Sequence, residues 1–251
     1  MSTIVPQILI VDDEVDICTN MADIFADLGY RVDVANNGPA ALALVQKSRY
    51  DIAILDLMMP GMDGAELYVE IKKLHAGTIA ILVTAYPEHP RASTALAAGA
   101  WRILPKPVDL PPLLRMIDQA ANQPMLLVVD DDLDYCANMW DLLRERGYRP
   151  CLANNLETAT RMLNEGASYN LVLLDMRLPD GNGSALVHIA REQHPSIPIV
   201  VISGCSTEFQ AKIAWLLSEG AKAVFPKPLE VAKLLDMVQK LVPVSAAQNR
   251  I

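Results

Sequence analysis

Ile8-Leu-Ile-Val-Asp-Asp13 and Leu126-Leu-Val-Val-Asp-Asp131 are two versions of one phrase, an apolar run that stops on paired carboxylates. A short, unbroken apolar run is what a parallel strand buried on both faces requires. Outward from it, Ile54-Leu-Asp-Leu-Met-Met-Pro60 returns as Leu173-Leu-Asp-Met-Arg-Leu-Pro179, and Pro105-Lys-Pro107 returns as Pro226-Lys-Pro228. The landmarks keep their order at a spacing of about 120 residues, too long for a solenoid repeat and right for duplicated domains. The reading is a domain over 1–122 and a second over 123–251, divided near Ala121-Asn-Gln-Pro124. That link is short and not Gly/Ser-rich, so the two domains are expected to be held close together.

Each half alternates strand with helix. In the first, apolar strands are expected near Gln7–Val11, Arg31–Ala35, Ile52–Leu55, Ile79–Val83 and Arg102–Leu104. Helices are expected between and after them. Ile17, Met21, Ile24, Phe25 and Leu28 recur at helical spacing, with Gly29 to end that helix. The second half repeats the scheme, with strands near Met125–Val129, Arg149–Ala153, Leu171–Leu174, Ile199–Ile202 and Ala223–Phe225. Five βα units of this size make an open doubly wound α/β sheet.

Composition excludes several classes. Apolar residues make up 52% and charged residues 20%, so a packed core is affordable and a disordered chain is not expected. The formal charge of −9 and the lack of a basic run argue against direct nucleic-acid binding. No apolar stretch approaches the roughly 18 residues of a membrane span, and residues 1–7 lack the basic start of a secretory signal. Cys18, Cys136, Cys151 and Cys205 form no C-x-x-C pair, which reads as buried thiols in a reducing compartment. A cytoplasmic protein is expected, with no membrane and no nucleic acid among its partners.

The unusual polar residues follow the strands. Asp12, Asp13, Asp56, Thr84 and Lys106 do so in the first half, and Asp130, Asp131, Asp175, Ser203 and Lys227 in the second. In doubly wound sheets the ligand site lies outside the carboxyl ends of the strands, so each set should converge in one acidic cleft. Three crowded carboxylates need a cation to stay ionised together. Oxygen donors suit Mg²⁺, and Mn²⁺ would also serve. With a cation and an ammonium to neutralise phosphoryl oxygens, a strand-end Asp becomes a nucleophile toward phosphorus.

Both halves resemble receiver domains of two-component response regulators. The resemblance rests on the ordered set Asp-Asp, Asp with Pro four residues later, Thr or Ser, and Lys-Pro, found twice. It implies tandem flavodoxin-like (βα)5 domains with strand order 2-1-3-4-5. It makes Asp56 and Asp175 the phosphoacceptors. It gives the metal to Asp12, Asp13, Asp56 and the Met58 carbonyl in one domain, and to Asp130, Asp131, Asp175 and the Arg177 carbonyl in the other. Thr84, Lys106, Ser203 and Lys227 would contact the phosphoryl group, and Pro107 and Pro228 would follow cis bonds. Ala85 and Gly204 are small enough to let backbone N–H groups reach it. The implied partners are a histidine kinase or a histidine phosphotransfer protein. A downstream effector, or self-association through helix 4, strand 5 and helix 5, would carry the output.

Two departures from the family pattern matter. The usual aromatic switch residue is replaced by Ile103 and Val224, which points either to a smaller or different surface change on phosphorylation or to aliphatic residues that simply fill a strand slot. The residues that flank the hydrolytic water's path are Met58 with Tyr86, and Arg177 with Cys205, so unequal phosphoryl lifetimes are expected. Neither Met58 nor Arg177 can be the second Asp of a haloacid-dehalogenase-type phosphohydrolase, so no turnover enzyme is expected beyond self-phosphorylation and autodephosphorylation. The expected function is a tandem receiver without an output domain. Its rivals are a receiver portion of a larger hybrid kinase or cyclase, and a pair in which one domain is an unphosphorylated adaptor. Trp101 reads as a packing residue, whereas Trp215 is balanced between packing and a partner surface. His75, His89, His188 and His194 read as solvated.

Overall fold

The computed structural model describes residues 5–164, 168–204 and 209–244, with the side chains of 209–212 left aside. It divides into two units, Met1–Asn122 and Gln123–Ile251. The first unit runs β1 (Gln7–Val11), α1 (Val15–Asp27), β2 (Arg31–Ala35), α2 (Gly38–Val45), β3 (Ile52–Asp56), α3 (Gly64–Leu74), β4 (Ile79–Thr84), α4 (Pro90–Ala97), β5 (Arg102–Pro105) and α5 (Leu110–Ala121). The second runs β6 (Met125–Val129), α6 (Leu133–Glu145), β7 (Arg149–Ala153), α7 (Leu156–Asn164), β8 (Leu171–Asp175), β9 (Arg177–Leu178), β10 (Gly181–Asn182), α8 (Ser184–Gln193), β11 (Ile199–Gly204), α9 (Phe209–Ser218), β12 (Ala223–Lys227) and α10 (Val231–Leu241).

Both main sheets are parallel, ordered β2-β1-β3-β4-β5 and β7-β6-β8-β11-β12. This is the expected 2-1-3-4-5 order in each domain. The central strands are buried throughout β3, β4 and β8, because helices cover both faces and a polar residue would have no water to face. Each sheet therefore has two cores. In the first unit, Leu9, Leu55, Leu67 and Leu82 fill one face, and Ile10, Phe25, Ile54 and Ile117 fill the other. In the second, Leu127, Val172, Leu186 and Val201 lie opposite Leu126, Met139, Leu173 and Leu234. Ile103 and Val224 pack against these cores as ordinary aliphatic strand residues.

The sequence pattern misses one element. Between β8 and α8 the chain makes a small antiparallel hairpin, β9 with β10. Two-residue strands carry too little alternation to be read. Among the described residues, no helix is long and apolar enough to cross a membrane.

Candidate functional site

Register brings the polar residues together. β1 pairs with β3 and β3 with β4, so Asp12, just past β1, and Asp56, at the end of β3, share one rim of the sheet. One carboxylate oxygen from each of Asp12, Asp13 and Asp56 falls within 4.8 Å of the others, and Asp130, Asp131 and Asp175 form the same cluster in the second unit. In each trio the first and third residues are buried and the second is exposed. Asp12 is 4% exposed and Asp130 1%, and carboxylates so deep are retained only when paired.

The pairing comes from lysine. Lys106 Nζ lies 2.7 Å from Asp12 Oδ2 and 3.0 Å from Asp56 Oδ2. Lys227 Nζ lies 3.0 Å from Asp130 Oδ2 and 2.7 Å from Asp175 Oδ2. Both peptide bonds that follow, Lys106-Pro107 and Lys227-Pro228, are cis. Burial works against each ammonium, but hydrogen bonds to its two aspartates outweigh this and hold both lysines above their ordinary range. Burial, followed by the nearby Asp175 charge, also lifts Asp130 above the usual carboxylate range, against the Asp132 amide and Lys227.

The acceptor carboxylates are held alike. Asp56 Oδ1 accepts from the Met58 amide at 3.1 Å, and Asp175 Oδ1 from the Arg177 amide at 3.2 Å. The Thr84 hydroxyl is fully buried at the end of β4 and accepts from the Tyr86 amide, while Ser203, one residue before the end of β11, is 7% exposed. Of the expected flanking residues, Met58 and Tyr86 stand exposed at 37% and 65%. Cys205 lies outside the described residues. Arg177 folds back over the Ser203–Gly204 strand end: a Cβ placed on Gly204 would sit 2.9 Å from Arg177 Nη2.

Several contributors were not singled out from the sequence. Gly64 and Gly183 press against the acceptor strands, and a Cβ there would sit 2.2 Å from the Asp56 carbonyl oxygen and 2.5 Å from that of Asp175. Only glycine allows that approach, and its recurrence eight residues after each acceptor was the available signal. The buried thiols of Cys18 and Cys136 reach the carbonyls of Asp12 and Asp130 at 3.4 and 3.2 Å. Burial first, and then those same aspartates, push them up to about 11 and about 12. His75 and His194 are not solvated: each is half-buried, with Nε2 3.0 Å from the carbonyl of Val45 or Leu163 at the end of the neighbouring helix. His89 caps α4 through Nδ1, and His188 is exposed beside Glu192. Trp101 packs against the core that includes Ile117, and Trp215 stands 43% exposed on α9.

A doubly wound sheet that gathers three aspartates, a lysine and a hydroxyl beyond the carboxyl ends of its strands defines a class of signalling domain, and here that arrangement occurs twice. The profile of the response regulator receiver domain matches residues 8–118 and again 126–239. A response regulator receiver protein of Anaeromyxobacter sp. (strain Fw109-5) is 34% identical over 233 residues, 93% of this chain and 94% of that one. The regulatory protein AtoC of Escherichia coli (strain K12) is 37% identical over 118 residues, 47% of this chain but 26% of its own length. Among solved structures, a CheY-like receiver domain protein of Methanospirillum hungatei JF-1 matches at 32% identity, covering 47% of this chain and 95% of that one, with a TM-score of 0.46. The chain belongs to the response regulator receiver family and carries its domain in tandem.

Proposed function

We propose that the protein accepts phosphoryl groups from phosphohistidine, on a histidine kinase or a histidine phosphotransfer protein, onto Asp56 and Asp175. The single observation behind this reading is the duplicated cluster: in each domain a buried acceptor carboxylate shares a lysine with a second buried aspartate. All-oxygen donors, two of them buried and anionic, fit Mg²⁺, with Mn²⁺ as a substitute. Asp12, Asp13, Asp56 and the Met58 carbonyl would hold it in one domain, and Asp130, Asp131, Asp175 and the Arg177 carbonyl in the other. When bound, the cation neutralises charge on the phosphoryl oxygens.

The residues divide the transfer between them. A carboxylate oxygen of Asp56 or Asp175 forms the new bond to phosphorus as the phosphorus–nitrogen bond of the donor breaks, and the imidazole leaves with that electron pair. Lys106 or Lys227 then shifts its hydrogen bonds from carboxylates to phosphoryl oxygens, where charge assistance makes them stronger. Thr84 or Ser203 donates its hydroxyl to the same group. The reaction is stoichiometric, not a turnover. Its signal passes through protein contacts, with neither nucleic acid nor membrane as direct partner. The exposed Trp215 on α9 supports an effector or self-association surface on that side of the second domain. The proposed location is the cytoplasm, in keeping with the free thiols of Cys18, Cys136 and Cys151.

Intact-protein mass after treatment with acetyl phosphate and Mg²⁺ tests the proposal. Two added phosphoryl groups are expected in the wild type, one in Asp56→Asn or Asp175→Asn, and none in the double variant. Phosphate on one acceptor alone would make the other domain an adaptor, and none on either would overturn the reading.

A further inference from the structure

The two sites surround their lysine differently. In the first, Glu14 Oε1 is a third carboxylate 3.8 Å from Lys106 Nζ. In the second, the matching residue is Asp132, one methylene shorter, and it turns instead to cap α6 by accepting from the Tyr135 amide at 3.0 Å. What faces Lys227 there is aromatic: its ammonium lies 5.5 Å from the centroid of the Tyr135 ring. This is within the range at which a ring's negative face attracts a cation. Tyr135 is the third residue of α6, and the third residue of α1 is Ile17, which packs into its core.

The tyrosine's hydroxyl does not explain its presence. Tyr135 Oη is buried and forms no hydrogen bond among the described residues, so its polar end contributes nothing to the packing around it. A phenylalanine would fill that core equally well; what the site uses is the ring face. The lysine has need of it, since its side chain is 33% exposed against 17% for Lys106. A ring also differs from a carboxylate in kind. It confines the ammonium without neutralising it, so more positive charge stays available to an arriving phosphoryl anion.

We propose that Tyr135 is a positioning residue of the second site, its ring face holding the Lys227 ammonium over the Asp130–Asp175 pair in place of the carboxylate that Glu14 supplies in the first. The proposal rests on Asp175 being a phosphoacceptor. It is tested in the full chain carrying Asp56→Asn, so that Asp175 alone can be modified, with acetyl phosphate and Mg²⁺ as reagents. Tyr135→Phe is expected to keep the parent's phosphorylation rate, and Tyr135→Ile, the residue of the first domain, to slow it about fivefold. Equal rates in all three would overturn the role.

A spectroscopic readout separates positioning from packing. The ring should move the Lys227 Hε resonances upfield of those of Lys106, an effect kept in Tyr135→Phe and lost in Tyr135→Ile. Absence of the shift in the parent protein overturns the proposal even if the isoleucine variant fails to fold. An upfield shift without any phosphate on Asp175 would instead defeat the phosphoacceptor reading, and with it the role, leaving the ring contact as packing.

Discussion

Beyond Asp56 the first domain passes through a loop into α3, whose own Asp63 and Glu66 cap it reciprocally. Beyond Asp175 the second makes the β9–β10 hairpin and lends Asp180 to a different helix, where its carboxylate accepts from the Leu156 and Glu157 amides at the start of α7. Asn37 caps α2 and Asn155 caps α7 in the same way, so Asp180 adds to a cap that both domains have. Yet the acceptors, their amide partners and their lysines superpose in role almost contact for contact. Strand ends are fixed by ladders of hydrogen bonds, so the cluster they carry resists divergence. The loops that leave them have no such ladder, and there the two domains have parted.

The largest effects should come from the lysines. Lys106→Ala strands Asp12 and Asp56 without a cation and should cost about 4 kcal/mol, whereas Lys227→Ala, at a more exposed lysine, should cost about 3 kcal/mol. Urea unfolding measures both, and Mg²⁺ should restore part of each loss. Equal losses would show that exposure of the lysine does not distinguish the sites.

The α3–α4 side offers a second contrast. Arg191 donates to the carbonyls of Pro195, Ile197 and Gly220, while the matching Lys72 reaches Ala98 at 3.2 Å. Arg191→Ala should therefore cost about 3 kcal/mol and Lys72→Ala about 1 kcal/mol in the same assay. A reversed order would mean that the guanidinium contacts add little to the second domain's stability.

Phosphoryl lifetime should follow the residue two past the acceptor. Arg177 overlies Gly204, whereas Met58 is uncharged. Decay of the two acyl phosphates in Asp56→Asn and Asp175→Asn proteins should differ by about tenfold, or about 1.4 kcal/mol in barrier, and exchanging Met58 and Arg177 should exchange the rates. Indifference to the exchange would trace the difference to the loops instead.

Two smaller effects are pH-dependent. Backbone N–H groups hold Asp180 below the usual carboxylate range, so its contribution is full above the unfolded value and disappears as pH falls through the folded one. Asp180→Asn should thus make the second domain less sensitive to mild acid, read by its fluorescence transition through Trp140. Cys18 and Cys136, raised to about 11 and about 12 by burial and neighbouring aspartates, should resist thiol reagents at pH 8 in the native protein, as peptide mapping would reveal. Rapid labelling of one alone would mark its domain as the more open.

The sequence by itself determined the duplication, the βα alternation and the identity of the six clustered aspartates and both lysines. Buried parallel strands must be apolar throughout, so a polar residue at the end of such a run stands out, and its repetition removes doubt about register. Other features were decided by tertiary structure alone. Glu14 turns to the lysine while Asp132, one methylene shorter, turns to its helix. His75 and His194 look solvated in sequence because nothing local says that a neighbouring helix ends beside them. The ring over Lys227 joins residues far apart in the chain. Local pattern records what a residue's own segment needs, whereas these contacts exist only once distant segments have packed.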